Sequence, residues 1–485
     1  MYDLLIIGGG INGCAIARDA AGRGLSVRLV EQNDLASGTS SASTKLIHGG
    51  LRYLELYEFR LVHEALAERE LLLAAAPHVI WPLKFVLPHE RGLRPVWMLR
   101  LGLFLYDHLA RRKRLEGSHM VSLKGDALGA PLRETYSVGF TYADCWVDDS
   151  RLVAINALDA KERGATIGVG EKLVEARREA GRWLASLEGG AKIEARALVN
   201  AAGPWVSQVI DGALHIASRK HVRLVKGSHL VTRKLYEGAQ AYILQNPDGR
   251  IVFVIPYEGD FTLVGTTDVP YDGPPGSVEI SAAETDYLLA AVNHFLRRPL
   301  SRDDVVWSYS GLRPLYDDGA LDASVVTRDY AFDLDAPVGS PPALSVFGGK
   351  ITTARRLAEH ALDDLAPYLP PHGGAWTQGA VFPGGEMAFD AFLAHLEAEK
   401  PFLGGALALR LARAYGTRAE RFLKHARSMS DLGRDFGCGL TEAEVRYLIE
   451  NEWARRAEDV LWRRSKLGLH MNEAQRQGLR DFMGA

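Results

Sequence analysis

The sequence predicts an α/β fold in three parts: a Rossmann-like parallel-sheet domain, an antiparallel sheet domain interleaved with it, and a helical domain at the carboxy terminus. Three features predict it. A strand–glycine turn–helix–strand unit opens the chain, β-rich segments fall between its later pieces, and residues from about 386 onward read as helical, rich in Leu, Ala and Arg. At 485 residues the chain also exceeds what one hydrophobic core usually serves, which calls for two or three domains.

Asp3-Leu4-Leu5-Ile6-Ile7 is a continuous apolar run, the pattern of a parallel strand buried on both faces. Gly8-Gly9-Gly10-Ile11-Asn12-Gly13 follows at once, then a helical stretch from Cys14 to Ala21 that Gly22-Arg23-Gly24 stops. A second apolar strand, Ser26 to Val30, ends on Glu31. This order is that of a Rossmann-like dinucleotide-binding unit. Gly8 makes the tight turn, Gly10 lets the backbone approach a pyrophosphate, and Gly13 lets the helix pack closely on the strand. Asn12 lies in the same turn, and the helix amino terminus offers free N–H groups and a positive dipole end to phosphate. Glu31 can accept hydrogen bonds from ribose hydroxyls.

The unit by itself leaves FAD and NAD open. After Glu31 comes a dense run of small and hydroxyl residues, Gly38 to Gly50, containing Thr39, Ser40, Ser41, Lys45, His48 and Gly49. Its short side chains let the backbone pass close to a bulky ligand, and its polar groups can bond phosphate and a flavin edge, which favours FAD. Farther on, Arg151 to Gly164 reads as an amphipathic helix, followed by a strand at Ala165–Val169 and a polar hairpin near Ala180-Gly181. Ala197 to Asn200 is another apolar strand, ending at Ala201-Ala202-Gly203. Residues from about Lys220 to Val306 are β-rich, with turns at Asn246–Gly249 and Glu258–Asp260, as expected of an antiparallel substrate-binding sheet. The expected division is 1–80, 140–215 and 307–385 for the FAD-binding domain, 81–139 and 216–306 for the substrate domain, and 386–485 for the helical domain.

Composition excludes several classes. The 57 basic and 60 acidic residues, net −3, argue against a nucleic-acid protein driven by global charge. Cys14, Cys145 and Cys438 are far apart and form no CxxC pair, so no metal site is expected and a reducing compartment is. Met1-Tyr2-Asp3 runs directly into the first strand without a signal peptide's basic region, and no run of eighteen apolar residues appears. The expected location is cytoplasmic.

Thr39 to Glu70, TSSASTKLIHGGLRYLELYEFRLVHEALAERE, resembles the signature of the FAD-dependent glycerol-3-phosphate dehydrogenases, within the wider D-amino-acid-oxidase-like flavoproteins. The resemblance continues through DCWVDDSRL (Asp144–Leu152), VNAAGPW (Val199–Trp205), KGSHLV (Lys226–Val231), IVFVIPY (Ile251–Tyr257), VGTTDV (Val264–Val269), YSGLRPL (Tyr309–Leu315) and SVFGGKITTARRLAEHAL (Ser345–Leu362). Motifs at Asp431–Gly437 and Asn451–Leu469 extend it over essentially the whole chain, most like the bacterial aerobic, quinone-linked form. It implies oxidation of sn-glycerol 3-phosphate to dihydroxyacetone phosphate, with hydride transfer to FAD and electrons passed to a membrane quinone. Also implied are backbone contacts to adenine near Lys172-Leu173 and flavin contacts at Gly203, Gly349, Lys350 and Thr352. Readings that stay open are an oxygen-reducing glycerol-3-phosphate oxidase, a 2-hydroxy-acid or amino-acid oxidoreductase of the same superfamily, and a non-catalytic flavin sensor.

A phosphorylated substrate needs cationic anchors, preferably arginine, whose planar fork matches phosphate oxygens. Arg52, Arg313, Arg328 and Lys350 each lie in a segment matching the family's active site. Arg313 and Arg328 are assigned to the phosphate with Lys350 in support, Arg52 and Tyr53 to the flavin and substrate, and Thr267 to a substrate hydrogen bond. His229 is the first candidate for the base, because an unperturbed imidazole titrates near neutrality, and His48 is its competitor.

Arg91 to Arg114 places apolar and aromatic residues, Pro95 to Tyr106, beside the cluster Arg111-Arg112-Lys113-Arg114. That suits either a buried helix with a solvated basic end or shallow insertion into an anionic leaflet. The family resemblance favours monotopic attachment at the inner face of the cytoplasmic membrane, with Trp81, Lys84 and Phe85 on the same surface. The arginines at 410, 455, 456, 463 and 464 are read as a solvated helical face or a partner surface, and a homodimer stays open.

Overall fold

The computed structural model describes residues 1–90, 95–218, 220–317 and 329–484. Its first sheet runs in the spatial order Tyr330–Asp335, Ala343–Gly348, Lys192–Asn200, Tyr2–Ile7, Val27–Glu31, Thr166–Val169. All neighbours are parallel except the first pair. The apolar run at the start of the chain has two faces to bury. Leu4 and Ile6 turn toward the helices, where Val27, Leu29, Ala197 and Val199 join them, while Leu5, Ile7, Val30 and Leu198 turn to the opposite face. This two-residue alternation with both faces covered is why the strand reads as unbroken hydrophobicity.

Three helices cover one face: Ile11–Gly22, Asp149–Glu162 and Ala354–Leu365. The other face carries the hairpin Leu173–Glu179/Arg182–Leu187, whose turn has Ala180 and Gly181 both at positive φ (50° and 77°). Trp183, 1% exposed, plugs that side.

The second sheet runs Val269–Pro270, Val222–Arg233, Phe261–Gly265, Ile251–Tyr257, Ala241–Gln245, Ile80–Pro88, Val138–Val147, Leu46–Ile47, and Val305–Tyr316 pairs with Val222–Arg233 on its other side. It differs from expectation in two ways. It is mixed, because Ala241–Gln245 runs parallel to Ile80–Pro88. It also recruits Val138–Val147, which pairs with Ile80–Pro88, Leu46–Ile47, which pairs with Val138–Val147, and Val305–Tyr316, which pairs with Val222–Arg233, although most of these residues were expected in the FAD-binding domain. The helix Ala282–Asn293 was not anticipated inside the β-rich region. Its capping box, Ser281 with Glu284, was present in the sequence as a start signal.

The carboxy-terminal helices Phe389–Glu399, Gly404–Tyr415, Glu442–Glu452 and Glu473–Met483 surround their own core of Phe392, Leu411, Leu448 and Val460. Two expectations fail here for one reason. The Asp149–Glu162 helix is buried nearly all round, not amphipathic, because the carboxy-terminal domain covers its outer side and Arg151 pairs there with Glu452. Arg410, Arg463 and Arg464 are not a solvated face either: Arg410 pairs with Glu444, and the other two pair with Asp34 of the first domain. Among the described residues no helix is long and apolar enough to cross a membrane.

Candidate active site

One cavity of about 770 Å³ lies where the two sheets meet. Ligands in open α/β sheets sit outside the carboxyl ends of the parallel strands. Here the ends or following turns of all five parallel strands reach the cavity, at Ile7–Gly8, Glu31–Asn33, Glu171–Leu173, Ala201–Gly203 and Gly348–Thr352. The second sheet forms the opposite wall with Tyr142, Ile243, Phe253, Thr266, Gly311 and Arg313. A cavity of this size lies in the range that holds large organic ligands.

The glycine turn is shaped as its sequence demanded. Gly8 has φ +110°, and a Cβ there would lie 2.6 Å from the Ala201 carbonyl oxygen. A Cβ on Gly13 would lie 2.0 Å from the Gly8 carbonyl oxygen, so Gly13 sets the helix against the turn and does not itself face the cavity. Ser40 Oγ accepts from the Ile11 amide at 3.0 Å, which joins the hydroxyl-rich stretch to the helix start. Asn12 Nδ2 donates to the Gly348 carbonyl at 3.2 Å, while its buried Oδ1 has no hydrogen-bond partner among the described residues. Glu31 accepts from the amides of Gly9 (2.7 Å) and Asn33 (2.8 Å). Burial raises its carboxyl above the usual range, and the two amides oppose that. A cradle with no room for side chains, an unpaired amide oxygen and an acid at the second strand end together fit an FAD.

Of the expected residues, Gly8, Gly10, Asn12, Glu31, Thr39, Ser40, His48, Arg52, Tyr53, Leu173, Gly203, Arg313, Gly349, Lys350 and Thr352 line this cavity. Arg328 lies outside the described residues. Several others are placed elsewhere. Lys45, 1% exposed, is drawn into an ion pair with Asp149 (2.9 Å) and donates to the Ser41 carbonyl at 3.0 Å, so neither residue reaches the cavity wall. Gly49 is small for a different purpose: its amide donates to Tyr106 Oη at 2.8 Å, and a Cβ would meet Leu66 at 2.5 Å. Thr267 is buried, accepting from the Ser228 amide (3.0 Å) and donating to Glu284 (2.9 Å). Its neighbour Thr266 faces the cavity in its place and accepts from Arg313 Nη2 at 2.8 Å.

His229 is also set behind the wall. Its ring is 1% exposed, stacks on Tyr309 with centroids 4.7 Å apart, and its Nε2 meets Thr44 Oγ1 at 3.0 Å. Thr44 itself lines the cavity, so His229 reaches it only through that hydroxyl. Burial holds the His229 imidazole well below its usual range, helped by Arg313 and Lys45. Burial lowers His48 as well, against Asp144 and with Lys350 and Arg69. For both rings burial favours the neutral imidazole.

Arg52, Arg313 and Lys350 all line this cavity. Arg313 is aimed by Asp268 and Thr266, and the Lys350 ammonium sits 4.0 Å over the Tyr53 ring. Ser43, Thr44, Trp205, Thr266 and Asp268 also line the cavity and were not singled out, although each lies in a quoted motif. Phe253 likewise lies in the motif Ile251–Tyr257, whereas nothing local in the sequence pointed to Ile243 or Gln208.

Residues 3–390 match the family described as FAD dependent oxidoreductase, and residues 375–482 match the C-terminal domain of alpha-glycerophosphate oxidase. The chain is 52% identical to the D-erythritol 1-phosphate dehydrogenase of Brucella abortus, over 98% of this chain and 96% of that protein. It is 51% identical to the aerobic glycerol-3-phosphate dehydrogenase of Escherichia coli, over 99% of this chain and 97% of that protein. Among solved structures, the glycerol-3-phosphate dehydrogenase from Bacillus halodurans complexed with FAD superposes with a TM-score of 0.77 at 28% identity, covering 100% of this chain and 94% of that one.

Proposed function

The chain belongs to the FAD-dependent oxidoreductase family, and from that premise we propose that it oxidises the secondary alcohol of a polyol phosphate, with sn-glycerol 3-phosphate the foremost substrate. The observation that carries this reading is the convergence of Arg52, Arg313 and Lys350 on the cavity that also holds the glycine turn. Three cations there suit a phosphate dianion better than a single carboxylate.

Gly8, Gly10, Asn12, Glu31, Ser40, Leu173, Gly203 and Thr352 would hold the FAD. Bound FAD supplies the acceptor for the hydride leaving the carbinol carbon. Arg313, held in one orientation by Asp268 and Thr266, receives the phosphate, with Lys350 of the same cavity in support. Arg52 and Tyr53 close the substrate region. The hydroxyl proton goes to His48, whose neutral imidazole stands in the wall, and His229 supports the same step from behind through Thr44.

Electrons then pass to a quinone at a membrane surface. The helix Val96–His108 supports attachment there: Trp97 (65% exposed), Leu101 and Phe104 (57%) lie on one outward face, while Leu103 and Tyr106 face the core. Arg111, Lys113 and Arg114 follow, exposed, so apolar and cationic surfaces adjoin as shallow insertion into an anionic leaflet requires. Phe85 takes no part in this surface, being fully buried against Tyr142, and Trp81 packs on Trp146.

A second reading comes from the Brucella abortus relative: a four-carbon polyol phosphate such as D-erythritol 1-phosphate. Both are tested by mixing the oxidised holoenzyme with each phosphate in the absence of oxygen and following flavin absorbance near 450 nm. Rapid bleaching by sn-glycerol 3-phosphate and slower bleaching by D-erythritol 1-phosphate is the expected result. The reverse order would install the second reading, and no bleaching by either would refute the proposal.

A further inference from the structure

The cavity walls are pinned from outside by the carboxy-terminal domain. Asp34 follows Glu31 by three residues, in the loop that supplies Gln32, Asn33 and Ser37 to the cavity. Its carboxylate, 2% exposed, receives both terminal nitrogens of Arg464, at 2.8 and 2.9 Å, and Nε of Arg463 at 2.5 Å. Burial alone would raise the Asp34 carboxyl, but Arg464 and then Arg463 hold it below the usual carboxylate range. Arg464, 1% exposed, also donates to the Glu452 carbonyl at 2.6 Å, so it is fixed at both ends.

Two further contacts come from the same stretch. Lys466 Nζ donates to Ser150 Oγ (2.6 Å) and Asp148 (3.2 Å), next to Asp149, which accepts from Ser43 Oγ at 2.7 Å in the cavity wall. Arg455 Nη1 donates to the Val169 carbonyl at 2.9 Å, at the end of the strand leading to the Glu171–Leu173 segment. One segment, 452–466, therefore touches two wall loops directly, reaches a third at 43–45 through residues 148–150, and contributes no residue to the cavity itself. A ring stack between Trp462 and Trp307, with centroids 4.8 Å apart, ties it to the second sheet as well.

We propose that residues 452–466 of the carboxy-terminal domain are positioning residues for the cofactor: by holding the loops at 31–37, 43–45 and 169–174 in their binding geometry, they set how tightly FAD is kept. The physical reason is preorganisation. A loop already fixed by buried ion pairs loses little freedom when a ligand arrives, whereas a freed loop must be ordered at the ligand's expense. The inference rests on the FAD reading, and the yellow flavin spectrum of the purified holoenzyme checks that reading separately.

The test is the rate at which FAD leaves the full-length holoenzyme after dilution, followed by the rise of free flavin fluorescence. Asp34→Asn, Arg464→Met and Arg455→Ala are compared with Leu411→Ala, a truncation in the hydrophobic core of the carboxy-terminal domain. Asp34→Asn and Arg464→Met should weaken FAD retention by about 5- to 150-fold, the usual span of coupling between sites, and Arg464→Lys should recover part of it. Arg455→Ala removes an exposed side chain, so it keeps the test alive if the buried variants do not fold, and it should still speed FAD loss several-fold. Leu411→Ala should lower the unfolding temperature and leave FAD release at the wild-type rate. The proposal is overturned if Arg455→Ala retains FAD like the wild type, or if Leu411→Ala releases it as fast as the loop-contact variants do.

Discussion

Replacing Gly13 by alanine probes how finely the cofactor turn is built. A Cβ at this position would sit 2.0 Å from the Gly8 carbonyl oxygen, whereas ordinary contacts begin near 3.4 Å, so roughly 1.4 Å must be found. The obstacle is backbone and cannot rotate away. On its other side the helix Ile11–Gly22 is packed against Asp149–Glu162 and Ala354–Leu365 through Ala17 and Ala20, both fully buried. Alanine gains about 1 kcal/mol of helix propensity over glycine, while overpacking costs about 1–3 kcal/mol, so net stability should fall by no more than about 2 kcal/mol. The larger effect is on FAD. Moving the helix start off the turn by that much removes most of its interaction with phosphate, worth up to about 2 kcal/mol, or about thirtyfold in affinity. Flavin fluorescence titration of the apoprotein measures it directly. Gly102→Ala is the control, since Gly102 lies inside the Val96–His108 helix with nothing within 4 Å of a new Cβ. That change should stabilise by about 0.5–1 kcal/mol and leave FAD binding alone. Wild-type FAD affinity in Gly13→Ala would refute the steric account.

Acid should weaken the fold through His78, which is 1% exposed with neither ring nitrogen hydrogen-bonded among the described residues. Burial, with Arg151 and Arg413, pushes its imidazole down to about 3, so between about 6.5 and 3 the unfolded state holds the extra proton and stability drops as pH falls. His78→Gln should therefore lose about 1.4 kcal/mol less than the wild type between pH 7.5 and 5.5 in urea unfolding, and superimposed profiles would exclude the cause. His48→Asn should slow flavin bleaching by about 100-fold or more with FAD retained, while His229→Asn slows it less; the opposite ranking would return the base to His229. Phe104→Ser with Trp97→Ser should abolish cosedimentation with anionic vesicles without altering bleaching in solution, and undiminished cosedimentation would rule out that helix as the anchor.

Much of the molecule is written locally in its sequence. The apolar run Leu4–Ile7, the glycine turn and Glu31 specify a strand, a helix start and an acid whose relative placement depends on neighbours a few residues away, and their geometry follows. The order of motifs carried Arg313, Lys350 and His48 into one site, because each is fixed by its own Gly- or Pro-containing segment. Other outcomes required the tertiary structure. Whether Thr266 or Thr267 faces the ligand depends on which neighbour Ser228 and Glu284 capture, and those partners lie 17 or more residues from Thr267. Lys45 looked like a ligand for phosphate, yet a carboxylate 104 residues away, Asp149, takes it into the core. Arg463 and Arg464 read as solvated charge until Asp34, 430 residues before Arg464, supplied the counter-ion that lets them be buried. Hydrophobic period and glycine placement are decided by local chemistry; the partner of a charge is decided by folding, because only proximity in space makes burying it affordable.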